Sequence, residues 1–261
     1  MKYQKIACVA DLRSRSASDA CKEIMSQYNF LDANSLDISS CDLIVALGGD
    51  GLMLKALHRF MDYNIPIYGM NRGSIGFLLN PYNPVDLLTR LENAVEFHLH
   101  PLQMVAETIE GQVVQELAVN EVSLLRQTNQ AAKIRLLIDG EERINALVAD
   151  GMLVSTPAGS TAYNFAANGP IIPLGANILA LTPISPFRPR RWRGALLSHQ
   201  NVVECQIMEP HKRPVSAVAD FKETRDVVKV TIFQRTDVVL RLLFDETNHI
   251  QERIIREQFI T

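Results

Sequence analysis

Positions 43 to 57 read LIVALGGDGLMLKAL: five apolar residues run straight into Gly48, Gly49, Asp50 and Gly51, and an apolar pattern of helical spacing follows. That order predicts a strand, a glycine loop and a helix, which places the loop at the carboxyl edge of a parallel sheet, where open α/β folds take their ligands. Glycines leave backbone N–H groups accessible to an anion, and the following helix adds its positive end. Gly48 and Gly49 are therefore candidates for a phosphate-donor loop, and Asp50 for the chemistry. Lys55, one turn into the helix, is a candidate for added positive charge. An ordinary tight turn also likes these residues, and the segment alone does not choose. The chain has no G-x-x-x-x-G-K-[ST] and no G-x-G-x-x-G, so the common nucleotide loops are excluded.

The surrounding sequence alternates. Strands are predicted at Lys5–Ala10, Leu43–Leu47 and Pro66–Met70. Helices are predicted over roughly Ala17–Gln27 and Leu52–Met61, with a third opening at Pro84 after Asn83 as cap. Alternation of this kind argues for a parallel sheet covered on both faces. Near His98–Pro101 the pattern changes to short strand-like runs separated by polar turns. Among them, Asp139–Gly140 is a strong hairpin signal. The tail ETNHIQERIIREQF has Ile250, Ile254 and Ile255 on one face and predicts a helix.

Composition narrows the function classes. With 261 residues, 47% hydrophobic and 21% charged, the chain can bury a large core, and its formal net charge of -3 gives no global reason to bind nucleic acid. Cys8, Cys21, Cys41 and Cys205 are scattered, and His98 and His100 do not suggest a metal site, so no protein metal site is predicted. The start MKYQKIACVADLRSRS lacks a long apolar stretch, and IIPLGANILALTPI is interrupted by prolines and Asn177. A soluble, cytoplasmic protein with no membrane partner is expected.

Three further segments carry candidate chemistry. In GMNRGSIGFL, Gly69, Gly73 and Gly76 suggest backbone conformations that other residues avoid. Phe77 there suits either the core or a stacked base. In VNEVSLL, Asn120 and Glu121 interrupt a strand pattern, as an exposed face, a bulge or a donor–acceptor pair for ribose hydroxyls. The tract VADGMLVSTPAGSTAYNFAANGPIIP, positions 148 to 173, is dense in small hydroxylated residues and turn formers, a composition typical of functional loops. Ser160 is not in a G-x-S-x-G elbow, which argues against a serine hydrolase. FRPRRWRG, with Arg188, Arg190, Arg191 and Arg193 around Trp192, reads as a solvated loop or a subunit contact.

Taken in order and spacing, GGDG, NRGSIGFL, NEV and DG…STPAGSTAYNFAANGPI resemble the NAD kinase family over about residues 40 to 185. GGDG alone is shared with diacylglycerol, sphingosine and phosphofructokinase-type enzymes, whereas STPAGSTAY after DG is far more specific. The resemblance implies an α/β amino-terminal domain with a parallel sheet, residues 1–100. It implies a β-rich NAD-binding domain at residues 101–239, with 240–261 returning to the first as a carboxyl-terminal helix. It implies transfer of the γ-phosphoryl group of ATP, or of polyphosphate, to the 2′-hydroxyl of the adenosine ribose of NAD. A divalent metal, Mg²⁺ by expectation, would be bound with the donor. A homodimer or homotetramer is implied, with the NAD site near a subunit interface. Matched position by position, Asp50 is the catalytic aspartate. Gly51, Lys55, Phe77, Asn120, Glu121, Asp150, Ala158, Thr161, Ala162, Tyr163 and Ala166 join Asp50 in binding NAD. Two other readings stay open: a lipid kinase of the same superfamily, which would want a membrane-docking face, and a non-catalytic NAD(P) sensor, which would need no base.

Overall fold

The computed structural model describes residues 2–34, 37–73, 76–246 and 259. The chain divides into two units, Met1–Leu99 with Val238–Thr261 and His100–Asp237.

The first unit begins with β1 (Ile6–Ala10), α1 (Arg15–Tyr28), β2 (Leu31–Asp32), β3 (Leu43–Gly48), α2 (Asp50–Phe60), β4 (Ile67–Asn71), β5 (Asn80–Pro81), α3 (Leu87–Asn93) and β6 (Val95–Leu99). Every residue of β1 and β3 is buried, as continuous apolar runs in a sheet covered on both faces must be. Helix α1 starts two residues before the predicted Ala17 because the Ser14 hydroxyl accepts from the Ala17 N–H at 3.3 Å. Its Ala17, Ala20, Cys21 and Ile24, spaced for one helical face, turn inward, and Asn29 ends it in the left-handed region at φ 56°.

The helix expected from Pro84 opens only at Leu87. Asn83 does accept a backbone hydrogen bond, from Val85 N–H at 2.9 Å, but the result is a local turn and not a helix cap. Asp86 then lies at φ 50°, outside helical space, so the helix starts after it.

In the sheet the strand order is β2-β1-β3-β4, then a strand formed by Leu240–Phe244, then β6, with β5 beside β4. All pairs are parallel except that between β6 and Leu240–Phe244. The returning strand is fastened by Asn80, which has no exposed surface. The Asn80 amide donates to Gly69 O and Leu243 O, each at 3.0 Å, and its Oδ1 accepts from Asp245 N–H at 2.8 Å. Arg90 pairs with Asp245 at 2.6 Å and the Tyr68 hydroxyl donates to the same carboxylate. The predicted tail helix lies outside the described residues.

The second unit contains β7 (Leu102–Thr108), β8 (Val113–Ala118), β9 (Glu121–Arg126), β10 (Ala132–Ile138), β11 (Glu141–Ala149), β12 (Gly151–Ser155), β13 (Ile178–Ile184), β14 (Ala195–Ser198), β15 (Val203–Ile207), β16 (Val215–Ala219), β17 (Lys222–Thr224) and β18 (Val227–Gln234). They form two antiparallel sheets, ordered β11-β10-β15-β18-β7-β8 and β14-β13-β12-β9-β16-β17. Inward residues of both, including Leu136, Leu147 and Val230 from one and Leu124, Met152 and Leu181 from the other, make a common core. The β10–β11 hairpin turns at Asp139 (φ 53°) and Gly140 (φ 81°), two positive values that match the predicted two-residue turn. Among the described residues no helix is long and apolar enough to cross a membrane.

Replacing Asn80 by Ala removes three buried hydrogen bonds that tie the returning strand to β4. We predict a loss of about 2–4 kcal/mol in the free energy of urea unfolding.

Candidate active site

In the first unit β3 delivers Gly48 to the sheet edge and α2 begins at Asp50, with Gly49 as its N-cap. Both carboxylate oxygens of Asp50 accept backbone hydrogen bonds, from Phe77 N–H at 2.9 Å and Leu78 N–H at 3.2 Å. The predicted catalytic carboxylate is thus held in place by the GFL segment, with the positive end of α2 behind it. Phe77 itself is half-buried, while Leu78 and Leu79 are buried.

The glycines of this loop differ in what they are for. A Cβ on Gly48 would stand 2.7 Å from Leu52 Cδ2, so packing against α2 accounts for that residue. Among the described residues a Cβ on Gly49 or Gly51 would meet nothing within 4 Å, and Gly49 has φ −103°, which any residue adopts. Neither packing among the described residues nor backbone strain requires glycine at those two positions. Gly69 corrects the expectation placed on it: it lies in β4 without a left-handed φ, and it is small because Leu79 Cδ2 would be 2.4 Å from its Cβ. Gly73 packs over the loop, where its Cβ would sit 3.5 Å from Gly49 Cα. Lys55 is exposed on α2, and its charge acts on Asp11, whose carboxyl is held below the usual range mainly by Arg13.

In the second unit Asn120 and Glu121 stand where the chain enters β9. The Thr156 N–H donates to Asn120 O at 2.9 Å, and the Thr156 hydroxyl donates to Val119 O at 2.7 Å. Gly159 lies against the same carbonyl so closely that a Cβ would be 2.2 Å from Asn120 O. The Asn–Glu turn and the STPAGSTAY tract therefore form one packed body. Two side-chain oxygens in it, Asn120 Oδ1 and Glu121 Oε2, are buried without a hydrogen-bond partner. Burial first, and the nearby Asp220 carboxylate second, push the Glu121 carboxyl up to about 8. Tyr163 feels the same surroundings: burial, then Glu121 and Asp150, raise its hydroxyl pKa.

The hydroxyl-rich tract is mostly internal wiring. Ser160 donates to Pro157 O at 2.7 Å and accepts from Ile172 N–H at 2.9 Å, and Ser155 donates to Thr156 O at 2.9 Å. Ala158 is also buried, whereas Ala162 and Ala166 are exposed and Thr161 and Tyr163 half-buried. Asp150 pairs with Arg126 at 2.6 Å. Tyr163 and Ala166 line a cleft of about 530 Å³ together with Pro183, Ser185, Trp192 and Arg193.

The arginines of FRPRRWRG are exposed, as expected of a solvated loop or subunit contact, and Trp192 is only partly buried. Trp192 packs against the core of the unit and, like Arg193 and Tyr163, lines the cleft. Arg188 is also fixed, by a backbone bridge in which Val148 N–H donates to Arg188 O at 2.8 Å. Sequence reasoning gave no role to Asp220 or to Thr156 of the hydroxyl-rich tract, because their contacts to Val119–Glu121 span 36 or more residues and leave no local pattern.

Comparison with known proteins shows the family. The family model of the ATP-NAD kinase N-terminal domain matches residues 5–98, and that of the ATP-NAD kinase C-terminal domain matches residues 119–231. The chain is 51% identical to the NAD kinase of Xylella fastidiosa over 243 residues, 93% of this chain and 92% of the relative. It is 46% identical to the NAD kinase of Rickettsia bellii over 259 residues, 99% of each. Two crystal structures share the fold. Yeast NADH kinase complexed with NADH superposes with a TM-score of 0.83 at 21% identity, over 99% of this chain and 88% of that one. An NAD kinase from Archaeoglobus fulgidus in complex with ATP gives 0.77 at 23%, over 99% and 100%. With both domain models matched and relatives near half identity along almost its whole length, the chain belongs to the NAD kinase family.

Proposed function

We propose that this protein transfers the γ-phosphoryl group of ATP to the 2′-hydroxyl of the adenosine ribose of NAD, making NADP. The observation that carries the reading is Asp50: a carboxylate gripped by two backbone N–H groups, between two glycines whose missing side chains leave open space. Gly49 and Gly51 then serve the approach of a ligand, with Gly49 facing the donor's phosphates. A ribose hydroxyl is a poor nucleophile, and an aspartate with an ordinary pKa of about 3.9 does not ionise it beforehand. Asp50 instead orients the hydroxyl in line with the γ-phosphorus and takes its proton late, as the oxygen becomes acidic. Most of the rate then comes from positioning and electrostatic stabilisation.

On the dinucleotide side, the buried oxygens of Asn120 and Glu121 are offered to NAD, and Tyr163 packs beside the adenine with Thr161, Ala162 and Ala166. The described residues hold no group of three or more His, Cys, Asp or Glu side chains able to cage a metal ion. A Mg²⁺ would come with the phosphate donor and would take its oxygens mainly from phosphate and water. When bound, the ion neutralises charge on the transferred group. A cytoplasmic homodimer or homotetramer, with the NAD site near a subunit interface, completes the proposal. It is supported by the edge strand β14 with its exposed Leu196, and by exposed Phe187.

The direct test is to incubate purified protein with NAD, Mg²⁺ and either ATP or polyphosphate and to measure NADP; binding of NAD without NADP formation would favour a sensor instead. Asp50→Asn is expected to lower kcat by about a hundredfold or more while the KM for NAD changes little. Gly49→Ala is expected to melt like the wild type, because its methyl meets open space, but to raise the KM for ATP about tenfold. Chelating the divalent metal is expected to stop turnover without moving the melting temperature.

A further inference from the structure

The segment Val119–Glu121 is gripped from two sides. Its carbonyls at Val119 and Asn120 accept from Thr156, as described above. Its N–H groups point the other way, and all three end on one side chain. Asp220 accepts from Val119 N–H at 2.7 Å, Asn120 N–H at 2.9 Å and Glu121 N–H at 3.2 Å. The grip is reciprocal, since Asp220 N–H donates to Glu121 O at 3.1 Å. Asp220 stands in the left-handed region, φ 55°, in the turn after β16, whose last residue Ala219 pairs with Val122 of β9. Three successive N–H groups converging on one carboxylate fix the peptide planes of the segment, and so the directions of the two side chains it carries. Those side chains end in the orphaned Asn120 Oδ1 and Glu121 Oε2.

We propose that Asp220 is the positioning residue of the dinucleotide site: by holding these three N–H groups it fixes the direction in which Asn120 and Glu121 present their buried oxygens to NAD. This rests on the kinase reading, which places Asn120 and Glu121 against the dinucleotide. Asp220 touches the backbone and acts through its two neighbours.

The same arrangement has an electrostatic consequence. The charge that bears on Glu121 is that of Asp220 in the β16–β17 turn, while Tyr163, in the helical turn Tyr163–Ala166, has its own hydroxyl pKa raised further by Glu121. With its carboxyl pushed up to about 8, Glu121 is mainly neutral at pH 7 and presents one O–H donor and one acceptor, the complement of a hydroxyl. Above that pH it ionises beside Asp220, and two adjacent anions with an orphaned oxygen are a poorer seat for NAD. Removing the Asp220 charge lowers the Glu121 pKa, so the alkaline loss of affinity moves to lower pH.

Asp220→Asn retains the shape but cannot accept three N–H bonds. We expect its KM for NAD to rise tenfold or more at pH 7.5 with kcat within threefold of wild type, and to recover partly near pH 6. The alkaline fall of kcat/KM for NAD, centred near pH 8 in the wild type, should shift to lower pH. Glu121→Gln, neutral at every pH, should lose that fall, and this holds as a test even if Asp220→Asn does not fold. An unshifted alkaline fall in Asp220→Asn, an equal loss of kcat and kcat/KM at every pH, or a retained fall in Glu121→Gln would overturn the proposal. Should the wild type bind NAD yet make no NADP, the kinase reading fails alone. The same pH series, read as NAD affinity by calorimetry, then decides on Asp220.

Discussion

The sheet of the first unit cannot be completed by the first unit's own leading segment. Leu240–Phe244 lies between β4 and β6, pairing parallel with one and antiparallel with the other. Until that strand arrives, the N–H and C=O groups of two neighbouring strands have nothing to bond to, and buried backbone does not stay unpaired. The chain therefore passes through all of His100–Asp237 before its first sheet closes. Asn80, Arg90 and Tyr68 gather on the strand's end at Asp245, and these are among the long-range contacts whose closure entropy tertiary packing must offset.

Glycine shows how one residue type answers different demands. Gly140 is needed for a positive φ in a hairpin. Gly48, Gly69 and Gly159 are needed because neighbours occupy the space of a side chain. Among the described residues Gly49 and Gly51 meet neither demand. In the sequence all of these look alike. The hydroxyl-rich tract teaches a parallel lesson: Ser155, Thr156 and Ser160 spend their hydroxyls on backbone groups of their own unit, and it is the neighbouring Thr161, Ala162, Tyr163 and Ala166 that keep exposed surface.

The Asn120–Glu121 turn is built at a cost. Two buried oxygens stay unpaired and a carboxyl is kept from ionising, which a fold optimised for stability alone would avoid. The turn persists because Thr156 and Asp220 over-determine its backbone from opposite sides. Strain of this kind is tolerated where a ligand completes the hydrogen bonding.

Local pattern determined much of this protein. The strand–loop–helix around Asp50, the inward face of α1, the parallel sheet and the Asp139–Gly140 hairpin all follow from spacing and turn chemistry acting over a few residues. The order of the motifs pointed to the family. Pattern failed first at Pro84, where an Asn83 turn and a left-handed Asp86 competed with the helix start. It failed wholly for Asp220, which grips a segment 99 to 101 residues away. The packing of Trp192 against the core of the second unit was likewise not legible in its neighbours along the chain. Periodicity and capping are properties of neighbours along the chain, whereas a carboxylate meeting distant N–H groups depends on strand register, which only the folded sheets decide.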